Sequence, residues 1–460
     1  MQPTVLKITL SALALSLLSP ALPSLRAQEQ FYGAMPATAS KSIPLDALTD
    51  PEILWSTTPA TAETQFGKVF MKWLSASKDR ANIRRRPFSN VSQDLKIGDG
   101  KVDVEEVTLE FADSKLARLA FSLWNRGDSS GSFDAKSFKA RIAEISATLN
   151  DVFKFKGVEA GVDRTGAARY ERTQWLTPKL SASLEYSGAK VDGEFRAEFI
   201  RLRIGPPVKK AMVGAVPSAS DKGGIIGRAD LVKNVEHADS GDTWIRNVPM
   251  VDQGMKGYCA VSSCQRVFNY FGLNVDEHEM AQVAQSSADG GTSGRKLMES
   301  LDQLEGRLKV RFKKLYDLYT NKALQDLASD YNRAARKRSA KPLDWTSLQL
   351  ERMDPADLKS VRSKGAEYSK FQRMVKDNVD KGIPLLWSLT LGLYPENGKP
   401  AMQSGGGHMR LVIGYNLKDP ANPVLIFSDS WGGGHEKKSM SMADAFAATT
   451  ALIVLEPQQR

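Results

Sequence analysis

The amino-acid sequence predicts an α+β protein with two successive parts. Its 460 residues exceed one typical hydrophobic core and suggest two or three domains of roughly 100–200 residues each. Apolar and polar residues alternate along several runs of the first half, as in half-buried strands, and a helical pattern interrupts them. In the second half, helical patterns come first and apolar strand-like runs follow, which predicts a helical subdomain followed by a sheet.

The first part is predicted to be a separate α+β domain over residues 28–207. Apolar side chains alternate over residues 102–111 and 119–123, so two antiparallel strands are expected. A helix that covers the sheet is expected next, because apolar residues then lie three or four apart on one face over residues 138–153. No His, Cys or carboxylate cluster has catalytic or metal-binding spacing, so this part predicts a fold and no chemistry.

The first 27 residues have the layout of a secretory signal peptide. Lys7 precedes an apolar stretch over residues 8–18, and prolines follow. Cleavage is expected after Ala27, with export to a periplasm or to the exterior. The alternative is a membrane anchor that stays attached, but the stretch is too short to span a bilayer comfortably, and no later segment offers about 20 uninterrupted apolar residues.

A linker is predicted over residues 208–240, where Gly, Ser, Ala and Pro are frequent, and a second domain over residues 241–460. The formal charge of +10 is concentrated in this domain: residues 306–381 hold 19 Lys or Arg and 10 Asp or Glu, a net charge of +9. A solvated helical face is the expectation for this basic region. Export argues against a nucleic-acid partner.

The chain has two cysteines, Cys259 and Cys264. Positions five apart on a helix lie about 7.5 Å along the axis and about 140° around it, which is too far and too divergent for a disulfide. Cys264 shares the apolar face of the predicted helix and is expected in the core. Cys259 lies two residues after the helix-breaking Gly257, at a predicted helix N-terminus that favours a thiolate, so it is the candidate nucleophile.

A nucleophilic cysteine needs an imidazole, and the chain has four histidines. His408 is the candidate base, because three glycines precede it and an apolar strand begins with it. His237 lies in the predicted linker, and His435 is expected in a loop. His278 begins an acidic helix, where a solvated or capping role is expected.

Asp429 is the candidate for orienting the imidazole. It ends the strand-like run of FSDSWGGG, and a carboxylate there can accept the imidazole N–H and fix its tautomer. Trp431 lies two residues further on, where an indole can shield that bond from water. Each residue alone is a weak indication, but the order Cys, His, Asp is a stronger one.

Three stretches of the second part together resemble the papain-like cysteine peptidases. In QGMKGYC, Gln253 precedes Cys259 by six residues, and Gly257 matches a glycine of the same pattern. GGGH before an apolar strand resembles the family's histidine, and DSWG resembles its Asn-Ser-Trp-Gly. Cys259 and His408 are 149 residues apart, within the interval of roughly 130–150 of papain-like enzymes. The resemblance covers residues 244–457 only.

Two departures point to one branch of that superfamily. Lys256 and Ala260 stand where the papain signature has a second cysteine and an aromatic. Asp429 in place of Asn, together with CAVSSCQRVFNYFG, is similar to the bacteriocin-processing branch, which acts on double-glycine leaders. The resemblance therefore implies a papain-like C-terminal domain with a helical subdomain and an antiparallel sheet.

The resemblance also implies a mechanism and partners. Cys259 would attack a peptide carbonyl, His408 would transfer protons, and Asp429 would orient His408, while Gln253 and the Cys259 backbone N–H would stabilise the oxyanion. Trp431 would shield the Asp429–His408 pair. The expected partner is a peptide or protein substrate, with no cofactor, no metal, no nucleic acid and no membrane span in the mature chain. The oligomeric state and cleavage specificity stay open.

Two other functions remain possible from the sequence. A transglutaminase-like, acyl-transferring enzyme would share the order Cys, His, Asp, although Gln253 and DSWG favour the peptidase. A catalytically silent papain-like binding protein is the other, and the four intact site residues count against it. The first part could act as an inhibitory prosegment, recruit substrate or attach the enzyme to a surface.

Overall fold

The computed structural model describes residues 42–67, 71–85, 93–127, 131–164, 166–191, 193–208, 226–254, 257–286, 292, 294–399 and 405–458. The expected signal peptide, its cleavage after Ala27 and much of the expected linker lie outside these residues. Helices mix with mostly antiparallel strands throughout, so the α+β class is confirmed.

The N-terminal part is built around an eight-stranded sheet, counted over the described residues, with the strand order β2-β3-β6-β7-β11-β10-β9-β8. A second sheet has three strands in the order β1-β4-β5, and these strands alternate along the chain with strands of the large sheet. The strands are β1 (Ser42–Pro44), β2 (Lys72–Trp73), β3 (Arg80–Arg84), β4 (Asp94–Ile97), β5 (Val102–Val104), β6 (Glu106–Ala112), β7 (Lys115–Asn125), β8 (Val158–Asp163), β9 (Tyr170–Leu176), β10 (Ser181–Val191) and β11 (Glu194–Gly205). The helices of this part are α1 (Pro51–Leu54), α2 (Pro59–Phe66) and α3 (Ala135–Phe153).

Helix α3 is the helix that the apolar spacing predicts. The Asp134 side chain accepts a hydrogen bond from Ser137 N at 2.7 Å, which caps its first turn. Its buried side chains recur at helical spacing: Phe138, Ile142, Ile145, Leu149 and Phe153. They pack into one hydrophobic cluster with the strands of the N-terminal sheet.

The C-terminal part places helices before and beside a second sheet. Its helices are α4 (Arg228–Val232), α5 (Cys259–Tyr270), α6 (Glu277–Val283), α7 (Gly294–Leu308), α8 (Asn321–Ala335), α9 (Pro355–Arg362), α10 (Ala366–Val379) and α11 (Met442–Ala448). Its strands are β12 (Val235–His237), β13 (Asp242–Ile245), β14 (Val310–Asp317), β15 (Leu385–Thr390), β16 (Gly407–Asn416), β17 (Val424–Ser428), β18 (Lys438–Ser441) and β19 (Thr449–Pro457). The antiparallel order is β12-β13-β16-β15-β19-β14, and β17 pairs with both β16 and β18.

The expected linker differs from the structure at its C-terminal end. Residues 228–237 form α4 and β12, and β12 pairs with β13, with Val235 opposite Ile245. Leu231 is fully buried in the C-terminal hydrophobic cluster. The composition suggested a linker because small residues dominate, but the apolar side chains near its end are enough to add an edge strand and a short helix.

Helix α5 is the element that both parts cover. Its buried residues lie on every face, and they include the polar Ser262, Ser263, Gln265 and Arg266 as well as Cys264. One face packs on the C-terminal sheet, where Ser263 Oγ donates to Met409 O at 3.2 Å. On another face, Gln265 lines clefts shared with β3, β6 and β7 of the N-terminal sheet. The division into separate domains stays a prediction.

Candidate active site

Cys259 is the first residue of α5. Tyr258 occupies the N-cap position without a side-chain capping bond, and its carbonyl accepts from Ser262 N at 2.7 Å. The cysteine side chain is part-exposed. A helix N-terminus presents unpaired N–H groups and the positive end of the helix dipole, so this position favours a thiolate over a thiol.

His408 is the second residue of β16 and lies opposite Leu389 of β15. Because strands pair on both sides of β16, the imidazole is attached to a rigid element. His408 Nε2 lies 2.8 Å from Asp429 Oδ1. The Cys259 thiol is in hydrogen-bonding contact with His408. Since Nε2 is taken by Asp429, Nδ1 is the nitrogen left for the sulfur.

Asp429 directly follows β17 and is fully buried. Its Oδ1 accepts from Ser430 N at 2.9 Å in addition to the bond with His408. Its Oδ2 accepts from Arg410 Nε at 2.7 Å. Burial raises the pKa of this carboxyl, but the charges of Arg410 and His408 outweigh burial and hold the pKa far below its usual range. Asp429 is therefore an ionised acceptor with a fixed direction.

Trp431 covers the pair that His408 and Asp429 form. Its ring stacks on the imidazole, with ring centroids 4.8 Å apart and planes inclined by 25°. His435 contacts the other side of the indole edge to face, at 5.5 Å between centroids. The indole therefore lies over the imidazole that bonds to Asp429. The shielding role of Trp431 stays a prediction.

Gln253 is buried against the residue that follows Asp429. Its backbone N–H donates to Ser430 O at 2.8 Å, and its side-chain Oε1 accepts from Ser430 Oγ at 2.5 Å. The preceding residue, Asp252, forms a β-bridge with Trp431. These bonds fix the amide, with its Nε2 donor on the side away from the Ser430 hydroxyl. Two residues of the same motif, Met255 and Lys256, lie outside the described residues, and Gly257 is exposed.

Two arginines that the sequence analysis did not single out complete the surroundings of Asp429. Arg410 Nη1 donates to Glu396 Oε1 at 2.8 Å while its Nε donates to Asp429 Oδ2. Arg266 of α5 donates to Asp429 O at 3.0 Å and to Pro249 O at 2.7 Å. The spacing in the sequence indicates both arginines. Arg410 is two residues from His408 on a strand and Arg266 is seven residues from Cys259 on a helix, and residues at these spacings share a face.

Comparison with known families identifies the segment in which these residues lie. Residues 245–451 match the family model described as the Peptidase_C39 like family. This segment is C39-like. The match confirms the predicted resemblance to that branch of the papain-like cysteine peptidases and covers less than half of the chain, leaving out the N-terminal sheet. No curated protein matches the chain.

Within the C39-like segment, Cys259 and His408 each shift the pKa of the other toward the charged form. Burial raises the pKa of Cys259, but the charge and hydrogen bond of His408, with the Met409 backbone, lower it below that of an ordinary cysteine. Burial lowers the pKa of His408, but Asp429 and Cys259 raise it to about 9. The two groups are therefore stabilised together as thiolate and imidazolium.

The remaining cysteine and histidines lie apart from this pair. Cys264 is fully buried, as expected, and burial raises the pKa of its thiol. His237 is exposed at the end of β12, and His435 lies in a loop.

The expectation for His278 was wrong. The side chain is buried, 6.5 Å from the Phe199 ring between centroids, because α6 packs against β11 of the N-terminal sheet. The capping residue is Asp276, whose carboxylate accepts from His278 N at 2.8 Å. The sequence did not predict this burial, because the residues around His278 are polar and the strand that covers the side chain comes from the distant N-terminal part.

Among the described residues, no three His, Cys, Asp or Glu side chains are grouped so that they could hold a metal ion. None of the helices in this part of the chain is both long enough and apolar enough to cross a membrane.

Proposed function

We propose that the protein is a cysteine peptidase that hydrolyses peptide bonds with Cys259 as its nucleophile. The observation that supports this best is the hydrogen-bonded series from Cys259 through His408 to the ionised Asp429. It begins at a helix N-terminus and lies inside the segment that resembles C39 peptidases. A cysteine in this position is prepared as a thiolate, which is the form that attacks carbonyl carbon.

Acylation uses the proton that His408 holds. The Cys259 sulfur attacks the carbonyl carbon of the scissile peptide bond, and the carbonyl oxygen becomes an oxyanion. When the tetrahedral intermediate collapses, the C–N bond breaks and His408 donates its proton to the leaving amine. The products of this step are a thioester on Cys259, a neutral His408 and a free amine.

Deacylation returns the site to its first state. Neutral His408 removes a proton from a water molecule, which attacks the thioester carbonyl carbon. The C–S bond then breaks, a carboxylic acid leaves, and the imidazolium and thiolate pair forms again. Asp429 keeps the imidazole in one tautomer and one orientation throughout both steps.

The oxyanion is stabilised by two donors in this mechanism. One is Nε2 of Gln253, whose amide orientation is set by the 2.5 Å bond between Ser430 Oγ and Oε1. The other is the Cys259 backbone N–H, which lies in the first turn of α5, where backbone N–H groups have no acceptor within the helix. Each such donor contributes about 2.7–4 kcal/mol of transition-state stabilisation.

The decisive experiment compares the mature chain with its Cys259→Ala and Cys264→Ala variants on a peptide library. Cleavage products are identified by mass spectrometry, and a thiol-directed inhibitor reports covalent labelling. Cys259→Ala is expected to abolish both cleavage and labelling, while Cys264→Ala retains both. Undiminished cleavage by Cys259→Ala would contradict the proposal. Added amines separate hydrolysis from acyl transfer, since a hydrolase yields only the free acid.

Export of the chain is a second part of this proposal. Residues 1–27 have the layout of a signal peptide, and a peptidase that uses no metal or cofactor can act outside the cytoplasm. The mature chain then begins at Gln28. N-terminal sequencing of protein collected from the periplasm or medium tests this, and a chain that retains residues 1–27 in the cytoplasm would contradict it.

A further inference from the structure

Arg84, the last residue of β3, reaches from the N-terminal sheet to the segment that precedes Cys259. Its side chain is buried, and its NH2 group donates to the backbone carbonyl of Asp252. The same NH2 group lies 3.1–3.2 Å from the carboxylate of Glu106, on the neighbouring strand β6. Arg84 is therefore held by its own sheet while it binds the carbonyl of residue 252.

The segment that Arg84 binds is a tight turn. Gly254 has a φ of +64°, and its backbone N–H donates to Asp252 Oδ1 at 2.8 Å. A Cβ atom at Gly254 would lie 1.9 Å from Arg84 Nη1, so the guanidinium fills the space that a side chain would take. Gln253 is the central residue of this turn. The guanidinium thus packs against the backbone on both sides of Gln253.

The same turn is joined to the loop that contains Asp429. Gln253 N bonds to Ser430 O, and Gly432 N donates to Val251 O at 3.2 Å. The N-terminal part also touches this loop: a Cβ at Gly433 would lie 2.9 Å from Trp73 O. Contacts from the N-terminal sheet therefore converge on the two segments that hold Gln253.

A third contact lies next to the nucleophile. The Tyr258 side chain packs so closely on Gly127 that a Cβ there would lie 1.5 Å from the Tyr258 hydroxyl oxygen. Among the described residues, no hydrogen bond or ion pair links the N-terminal part to the side chains of Cys259, His408 or Asp429. The N-terminal part therefore contacts residues next to the reacting side chains, and the reacting side chains bond to one another.

We propose that Arg84 is a positioning residue, which acts from the N-terminal sheet to hold the turn at residues 252–254 so that Gln253 presents its amide to the oxyanion. This inference rests on the proposed peptidase function. The N-terminal part then completes the active site as a permanent scaffold, in contrast to a prosegment that is removed for activity. The occupant of the oxyanion position is the carbonyl oxygen of a peptide substrate.

The guanidinium is suited to this role for a physical reason. Its planar fork bonds to a carbonyl and a carboxylate at once, and it is charged at all relevant pH values. A bond between a buried charged donor and a carbonyl is stronger than a neutral hydrogen bond. Removing it takes a donor from the Asp252 carbonyl and breaks the ion pair between Arg84 and Glu106.

The test compares Arg84→Gln with a matched control, Arg307→Gln, in the full chain. Arg307 of α7 also joins the two parts by an arginine-to-carbonyl bond, at 2.9 Å to Ala167 O, but away from Gln253 in sequence. Hydrogen exchange of peptides that cover residues 249–254 is expected to become roughly tenfold faster or more in Arg84→Gln. It is expected to stay at the wild-type rate in Arg307→Gln. Equal rates in both variants, or faster exchange throughout the chain, would overturn the proposal.

Kinetics supply the readout that a merely structural role would not change. Arg84→Gln is expected to lower kcat/KM by roughly tenfold or more, and to add nothing to the loss caused by Gln253→Ala, because both act on one donor. Alkylation of Cys259 by iodoacetamide forms no oxyanion and is expected to keep its wild-type rate. Multiplied losses in the double variant, or wild-type cleavage by Arg84→Gln, would overturn the proposal.

Failure of the peptidase function has a different signature. A wild-type chain that neither cleaves peptides nor labels at Cys259 would contradict the proposed function, while the exchange of residues 249–254 still decides whether Arg84 orders the turn. Glu106→Gln, which loosens Arg84 and leaves it in place, serves if Arg84→Gln does not fold. In Glu106→Gln, hydrogen exchange of residues 249–254 is expected to become faster by a smaller factor than in Arg84→Gln. Exchange at the wild-type rate would contradict the role of Arg84.

Discussion

The first turn of α5 and its middle hold the two cysteines of the chain in opposite environments. Cys259 is part-exposed at the helix N-terminus beside His408, and its pKa is lowered. Cys264 is fully buried among apolar side chains, and its pKa is raised. The same helix therefore presents one thiol prepared as an anion and one kept neutral.

The difference shows that neighbouring side chains, more than the helix itself, set the pKa of each cysteine. Burial raises the pKa of both thiols, and only Cys259 has a cation to reverse that effect. The cation in turn depends on Asp429, and Asp429 depends on Arg410. The following predictions remove a member of this series, the proposed oxyanion donor Gln253 or the neutral thiol of Cys264.

The largest effect is expected from His408→Ala. Cys259 then loses the charge that lowers its pKa, and the leaving amine loses its proton donor, so kcat/KM for peptide cleavage should fall by roughly 10⁴-fold. Cleavage assays on a peptide identified from the library measure this. A loss of less than tenfold would mean that His408 is not the cause of the difference in reactivity between Cys259 and Cys264.

Arg410→Met is expected to have the next largest effect, and on stability as well as activity. The fully buried Asp429 would lose its strongest partner, and removing one member of a buried ion pair costs roughly 3–5 kcal/mol of unfolding free energy. Urea unfolding of Arg410→Met and of the wild type measures this cost.

The pH dependence of Arg410→Met has a definite sign. Because the pKa of Asp429 is depressed in the folded chain, its stabilising contribution is present above the unfolded pKa and is lost as pH falls through the folded pKa. Removing Arg410 raises that folded pKa, so acid unfolding is expected to begin at a higher pH than in the wild type. An unchanged acid-unfolding profile would contradict the assigned role of Arg410.

Gln253→Ala is expected to lower kcat by roughly 10²–10³-fold, since one oxyanion donor is lost. It leaves the cysteine and histidine pair untouched, so alkylation of Cys259 should keep its rate. Single-turnover acylation measures the first quantity, and iodoacetamide labelling measures the second. Equal loss of both would show that Gln253 acts on the thiol itself.

Cys264→Ser is expected to have the smallest effect. A hydroxyl group in an apolar, fully buried position without a partner costs roughly 1–3 kcal/mol of unfolding free energy. Peptide cleavage and labelling should stay close to wild type. If Cys264→Ser abolished labelling while the chain remained folded, Cys264 and not Cys259 would be the reactive thiol.

Local pattern was sufficient to predict much of the fold. The apolar spacing at residues 138–153 gave α3, and the apolar run that starts at His408 gave β16, since helical and strand periods depend only on neighbouring residues. The expected linker includes residues that form a helix and a strand. Residues 228–237 look irregular in composition and take up structure because β13 and the C-terminal core lie next to them.

The candidate site shows the same limit. Cys259, His408 and Asp429 could be chosen from the sequence because each lies at the start or end of a predicted element, and the structure brings them together. Arg84 could not be chosen, because it lies 168 residues before Asp252 in the chain and meets it only when the N-terminal sheet packs on the second part. The burial of His278 was missed for the same reason.

The central claim is that His408 holds Cys259 as a thiolate. The measurement that tests it most directly is the rate of alkylation by iodoacetamide as a function of pH, in a chain with Cys264→Ala so that one thiol remains. The rate is expected to rise at a pH below that of an ordinary cysteine, about 8.5, and peptide cleavage should decline as His408 loses its proton near its pKa of about 9. With His408→Ala added, the alkylation curve should move to higher pH. An ordinary thiol curve that is the same with and without His408 would contradict the account.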